Sequence, residues 1–145
     1  MKLLAVVAFV LMTTIGAAAQ HGRISVSIKV RGPEPAAKTE LAEALTNDLK
    51  RISDVDVVDD GEFQLYVTLG PAKAMSSGSQ LYSAAVVGVY KTTCGARQYA
   101  CHGFLMTDIV WGYSMSQVSD DAVREFDSGA LAQRRKQIAG LTGLR

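Results

Sequence analysis

The stretch that decides the fold is RISVSIKVR, residues 23 to 31. Its apolar residues occupy every second position, namely Ile24, Val26, Ile28 and Val30. The positions between them are polar, namely Ser25, Ser27 and Lys29. Because side chains alternate between the two faces of a strand, this pattern predicts a strand with one buried face and one solvent-exposed face. Pro33 and Pro35 follow and end the strand, since proline cannot donate to a sheet ladder.

A helix is predicted over residues 36 to 52, AAKTELAEALTNDLKRI. Its leucines and one isoleucine recur at helical spacing and form one stripe, Leu41, Leu45, Leu49 and Ile52. Pro35 suits the first turn, and Lys50 and Arg51 suit the carboxyl end of the helix dipole.

The next stretch, DVDVVDDGEFQLYVTLG at residues 54 to 70, predicts two strands joined by a hairpin turn at Asp60-Gly61. Alternation in the second strand predicts that Leu65 is buried and Gln64 is exposed. The acidic residues around the turn raise the alternative of a calcium site. They lack the loop spacing of a calcium-binding hand, which favours a solvated strand edge and turn.

The rest of the chain predicts a loop at 71–80, strands at about 81–90 and 103–113, and a second helix capped by Ser119. Ser128-Gly129 is expected to bend or break that helix before a further helical piece with an exposed basic face. The element order is therefore β-α-β-β-β-β-α. We expect an α+β two-layer sandwich, with a mostly antiparallel sheet and the helices on one face, in a single domain of residues 20–145.

Residues 23 to 70 carry a resemblance to known domains, through LAEALTNDLKRI, VDVVDD and FQLYVTL. In this part the chain resembles the amino-terminal domain of the Tol-system translocation protein B and the curli-secretion and synthase-activator domains. It also resembles small exported bacterial proteins as a whole. The resemblance implies binding to protein partners and supplies no catalytic residues. Beyond residue 80 the match lapses, and the two cysteines lie outside it.

The first nineteen residues predict a secretory signal peptide. Lys2 provides the basic start, Leu3 to Ile15 the apolar run, and Ala17 to Ala19 the small residues that a signal peptidase reads. We expect cleavage between Ala19 and Gln20 and a periplasmic or secreted product. The alternative, a membrane anchor, is disfavoured because the run is shorter than the ~20 residues that a bilayer requires.

Charge excludes some partners. Removal of Lys2 with the signal leaves 14 basic and 14 acidic residues, a formally neutral chain. Nucleic-acid binding depends on a basic surface, so no nucleic-acid partner is expected, and no membrane span is expected after signal removal.

Both cysteines lie in CGARQYACH, residues 94 to 102. In an exported protein, Cys94 and Cys101 on either side of a hairpin loop are expected to form a disulfide. A redox pair would have two residues between the cysteines, and here there are six. A zinc site needs four ligands, and these cysteines with His102 supply three. His102 also directly follows Cys101, so the two side chains should point to opposite faces of a strand.

Other candidate sites are few. Cleavage that exposed His21 as the first residue could create a copper site through its ring and amine, although the alanines favour cleavage one residue earlier. Asp108 lies within the apolar run FLMTDIVWG and is expected either on the wet face or, sharing a face with Phe104 and Met106, as a buried carboxylate. An aromatic surface could form from Tyr82, Tyr90, Trp111 and Tyr113.

The leading hypothesis is an exported binding or structural module that acts through protein contacts, with no enzymatic activity and no cofactor. Its partner would be another envelope or secreted protein, and its oligomeric state stays open. Arg97 and Tyr99, at the tip of the constrained loop, are candidate recognition residues. The alternative is a small metal-binding protein or enzyme centred on His102 or on a processed amino terminus at His21.

Overall fold

The structure is a computed structural model, and it describes residues 23–94 and 99–142. The signal-cleavage residues Ala19 and Gln20, the histidine His21 and the loop residue Arg97 lie outside the described residues. Six strands and three helices are described, with a π-helical segment between the last two helices. In chain order they are β1 (Ile24–Arg31), α1 (Pro35–Lys50), β2 (Val55–Val57), β3 (Phe63–Leu69), β4 (Lys73–Ala74), β5 (Gln80–Cys94), β6 (Tyr99–Gly112), α2 (Met115–Phe126), the π segment (Asp127–Leu131) and α3 (Ala132–Thr142).

The strands form one mixed sheet in the order β2-β1-β3-β5, with β6 on the other side of β5. β1 pairs in parallel with both β2 and β3, whereas β3, β4 and β6 all pair antiparallel with β5. The two-residue β4 falls within the predicted loop. The predicted α+β class and mostly antiparallel sheet are confirmed.

The predicted hairpin at Asp60-Gly61 is wrong. β2 and β3 do not pair with each other but flank β1 on opposite sides, so the chain between them crosses β1. Gly61 permits the crossing because a Cβ there would lie 2.6 Å from the backbone N of Ser27 and from the carbonyl C of Val26. The glycine of Asp60-Gly61 is therefore explained by a close approach of two backbone segments and not by a hairpin turn.

Register places the core on one face of the sheet. Leu65, Val67 and Val86 share that face and are fully buried beneath the helices. Lys29 is exposed, as the alternation of β1 predicts. Ile28, expected on the buried face, is only partly buried, because β2 pairs with β1 only as far as Val26. The prediction that Gln64 is exposed is wrong, since it is buried on the opposite face, where its Oε1 accepts a hydrogen bond from the Tyr66 hydroxyl (2.8 Å).

α1 covers β1 and β2 with its predicted apolar stripe. Leu41, Leu45 and Leu49 are fully buried, together with Ala37 one turn earlier. Pro35 occupies the first turn and Lys50 the last, as expected from the sequence. Ile52 lies beyond the helix end and packs partly buried against the core.

α2 begins earlier than predicted, and Ser119 does not cap it. Ser114 is the cap, accepting from the Gln117 backbone N–H (3.2 Å). Ser119 lies within the helix, fully buried, and its hydroxyl donates to Asp48 of α1 (2.6 Å). A side chain that sequence reasoning assigned to a helix end instead joins the two helices that cover the sheet.

Ser128-Gly129 changes the helix without breaking it. The chain continues through the π segment into α3, and Gly129 lies against Met106, whose Sδ would be 3.5 Å from an added Cβ. Arg135 of α3 donates to Asp54 (2.7 and 2.9 Å) and to Asp127 (2.7 Å), which holds this last helix against the start of β2. Within residues 23–94 and 99–142, no helix is long and apolar enough to cross a membrane.

Candidate functional site

The longest feature of the sheet is the hairpin of β5 and β6, of 15 and 14 residues. β3 pairs with β5 only as far as Tyr90, so the hairpin tip extends beyond the rest of the sheet. There, Cys94 pairs with Tyr99, and Thr92 with Cys101. Among the described strands, residues 92–94 of β5 therefore pair with β6 alone.

The two cysteines occupy diagonal positions at this tip, with their Cα atoms 6.0 Å apart, a separation that suits a disulfide. The structure joins them as such a pair, so the expectation of a disulfide-capable pair is confirmed; its oxidation state in the isolated protein stays a prediction. For Tyr99 the structure describes the backbone, in β6. Its proposed recognition role, and that of Arg97, stay predictions.

His102 does not complete a metal site with the cysteines. It pairs with Lys91 on the face opposite Cys101, as strand alternation predicts. Among the described residues, no group of three or more His, Cys, Asp and Glu side chains is placed to hold a metal ion. Asp108 is exposed, and its carboxylate accepts a hydrogen bond from the neighbouring Ile109 N–H (2.7 Å).

A bulge in β6 divides the aromatic and apolar side chains between the two faces. Gly88 pairs with Met106 and Val89 with Phe104, so Leu105 is the extra residue. Phe104 therefore lies on the face opposite Met106, and the expectation that it shares a face with Met106 and Asp108 is wrong. The bulge turns Phe104 out toward the open face of the sheet.

Four large side chains, here termed the exposed β6 row, are left uncovered: Phe104, Ile109, Trp111 and Tyr113. They are 57% to 64% exposed, whereas the intervening Val110 is buried.

The predicted aromatic surface is therefore half right, since Tyr82 and Tyr90 pack partly buried against the core instead. Sequence reasoning missed Ile109 and Phe104; the spacing of Ile109, Trp111 and Tyr113 could have indicated the first, but nothing in the sequence marks the bulge.

A groove of about 470 Å³ lies at the end of this row. Trp111 and Tyr113 line one side, and Asp120 and Asp121 of α2 line the other. Asp121 forms an ion pair with Arg124 (2.7 Å), and Asp120 is exposed. The groove combines aromatic faces with carboxylates, a composition that suits a cationic side chain.

Two further depressions differ in character. The larger, about 620 Å³, lies between α1 and the carboxyl-terminal half of β1, over Ile28 and Val30, beyond the residues that pair with β2. The other, about 430 Å³, is mostly polar and lies between the hairpin and α3, near Lys91 and Arg134. In the first, the hydroxyls of Thr39 and Thr46 donate to backbone carbonyl oxygens one helical turn earlier (3.0 and 2.8 Å).

Among the described residues, the pKa values that shift clearly are those of Asp54 and Arg135. Hydrogen bonds from Arg135 lower the pKa of Asp54, against the opposing effect of burial. The same carboxylate and Asp127 raise the pKa of Arg135 above its already high usual value. This network holds α3 in place, and we assign it a structural role.

The fold is similar to several solved structures. A PelC dodecamer from Paraburkholderia phytofirmans is 12% identical over 70% of this chain and 87% of its own, with a TM-score of 0.44. A hypothetical protein from Chlamydia trachomatis is 16% identical over 83% of this chain and 97% of its own, with a TM-score of 0.42. A minor lipoprotein from Acinetobacter baumannii is 12% identical over 70% of this chain and 86% of its own, with a TM-score of 0.27.

No protein-family model and no curated protein matches the chain. At these identities and TM-scores, the similar structures assign neither a family nor an activity to this chain. None of the three is a Tol-system protein, and the resemblance stated for residues 23 to 70 stays a prediction.

Proposed function

We propose that this chain is an exported, non-catalytic module that binds another envelope or secreted protein through the exposed β6 row. The observation that carries the proposal is the row itself. Large apolar side chains that stay exposed together on one strand are typical of a surface that a partner covers. Trp and Tyr are the residues that contribute most often to the binding energy of protein interfaces.

The position of the row supports a role in binding. β6 is the last strand of the sheet, and within the described chain it pairs with β5 alone. A partner can therefore reach its backbone as well as its side chains, the arrangement that strand addition uses.

Affinity capture with matched variants tests this proposal. The double variant Ile109→Ser/Trp111→Ser removes the centre of the row, and both positions are exposed, so the free energy of unfolding should change by under ~0.5 kcal/mol per site. We expect the wild type to retain a partner from an envelope extract and the double variant to lose it. Thr68→Ala, an exposed change on the same sheet face, is the control. Equal capture by all three proteins would contradict the proposal.

The alternative is a metal-binding protein or enzyme centred on His102 or on a processed amino terminus at His21, which lies outside the described residues. Metal analysis of the purified protein distinguishes it from the binding module. Stoichiometric metal that is lost on His102→Ala would favour the alternative.

A further inference from the structure

The outer edge of β6 carries little of the usual protection of an edge strand: beyond the bulge at Leu105, one backbone N–H, that of Ile109, donates to the Asp108 carboxylate (2.7 Å). Natural sheet edges are commonly blocked by lysine, proline or a bulge. From Met106 to Gly112, beyond the bulge, the strand has neither lysine nor proline, and Asp108 is its single charged residue. A further strand can pair with this seven-residue stretch if its carbonyl oxygen replaces the Asp108 carboxylate as the acceptor of the Ile109 N–H.

The charges that border this edge are mostly negative. Asp108 lies on the strand, and Asp120 and Asp121 line the groove beside Trp111 and Tyr113. In the described chain, the residues that line the groove include no lysine or arginine. Arg124 is close, but it pairs with Asp121 at 2.7 Å and lies 3.7 Å from a Glu125 carboxylate oxygen.

This charge pattern selects among possible occupants. A second copy of the chain, paired through residues 106–112 of β6, would supply no lysine or arginine from that stretch to face Asp120 and Asp121. A basic segment would instead meet carboxylates and two aromatic faces. Arginine fits best because its planar guanidinium can stack on Trp111 while it donates to a carboxylate.

We propose that the β6 edge binds an extended segment of the partner protein and that an arginine of this segment occupies the groove between Trp111 and Asp120. This inference rests on the proposed function and adds the chemistry of the partner. The apolar residues of the segment would lie against Ile109 and Phe104, and its backbone would pair with the free edge of β6.

Trp111 allows a direct measurement because it is the only tryptophan in the chain. Its fluorescence is followed while a blocked peptide of alternating threonine and valine with one central arginine is added. The reference peptide carries citrulline, which has the same shape without the charge, in place of arginine. We expect the arginine peptide to bind about three- to tenfold more tightly, from the stacking and ion-pair contributions at a partly exposed site.

Variants then test the groove. Asp120→Asn/Asp121→Asn should abolish the preference for arginine, and Asp59→Asn, which removes an exposed carboxylate beside the opposite edge of the sheet, should leave it intact. The preference should also shrink in ~1 M salt, where charges are screened beyond ~3 Å. Circular dichroism checks that each variant keeps its fold.

Three results would overturn the inference: equal binding of the two peptides, no fluorescence response to either, or a dimer that forms through β6 at the concentrations used. In any of these cases, capture of a partner that depends on Ile109 and Trp111 would still support the proposed function. The two proposals therefore fail separately.

Discussion

Gly61 lies where the chain passes over the backbone of β1. The contact there is so close that position 61 has no room for a side chain. An added Cβ would lie 2.6 Å from two backbone atoms of β1, neither of which can move as a side-chain end can. We expect Gly61→Ala to lower the free energy of unfolding by about 1–3 kcal/mol through overpacking.

Gly140 provides the control for that prediction. It lies in α3 with nothing within 4 Å of an added Cβ. Gly140→Ala should raise stability by about 0.5–1 kcal/mol, because alanine favours a helix over glycine. Urea unfolding of both variants measures the difference, and equal effects would mean that the crossing over β1 is wrong.

The pair of Asp54 and Arg135 makes stability depend on pH in a defined direction. Because the pKa of Asp54 is lower in the folded protein than its ordinary 3.8, its contribution is complete above that value and is lost as the pH falls through the folded pKa. Arg135→Gln should therefore cost under ~1 kcal/mol near neutral pH, since the pair is about one-third exposed, and still less below pH ~4.

Chemical denaturation at several pH values measures this change. Arg51→Gln is the control, because the Arg51 side chain at the end of α1 is 80% exposed where it pairs with Asp48 and should contribute under ~0.5 kcal/mol. A cost for Arg135→Gln that grows as the pH falls would contradict the assigned role of Asp54.

At the scale of elements, the disulfide at the hairpin tip is the clearest test. The wild-type protein, unreduced and denatured, should show no free thiol. Cys94→Ser/Cys101→Ser should lose ~1–3 kcal/mol of stability, since a ring of this size contributes about 2.5 kcal/mol in the loop-entropy model. The sheet should persist, because β3 and β5 pair independently of the tip. Two free thiols, or metal released by either single substitution, would revive the metal hypothesis.

The same elements show why sequence periodicity predicted some features and missed others. The apolar stripe of α1 follows from a repeat of 3.6 residues, and the buried face of Leu65 follows from a repeat of 2 residues. Both repeats can be recognised in the sequence itself. The crossing at Gly61 depends on which strand lies between β2 and β3, and the bulge at Leu105 on the register between β5 and β6. Both are properties of strand pairing, so no local pattern indicates them. Ser119 was misassigned for the same reason, since its partner Asp48 lies 71 residues away.

For the molecule as a whole, the sequence predicted the fold class and the face that the helices cover. It predicted only part of the candidate surface. The sequence predicts Trp111 and Tyr113 as part of an aromatic surface together with Tyr82 and Tyr90. In the structure the first two are exposed and the other two are partly buried. This difference depends on the position of each side chain in the assembled sheet. Asp120 and Asp121 suggested a helix start in the sequence, and only the packing of α2 beside β6 places them next to Trp111.

The most direct test of the central claim, that the chain binds a protein through β6, is photo-crosslinking in the organism that makes it. Benzoylphenylalanine is placed at position 111, and at position 40 on the exposed side of α1 as the control. We expect irradiation to give a discrete adduct with one other protein from position 111 and none from position 40. No adduct from position 111, or the same adducts from both positions, would contradict the claim.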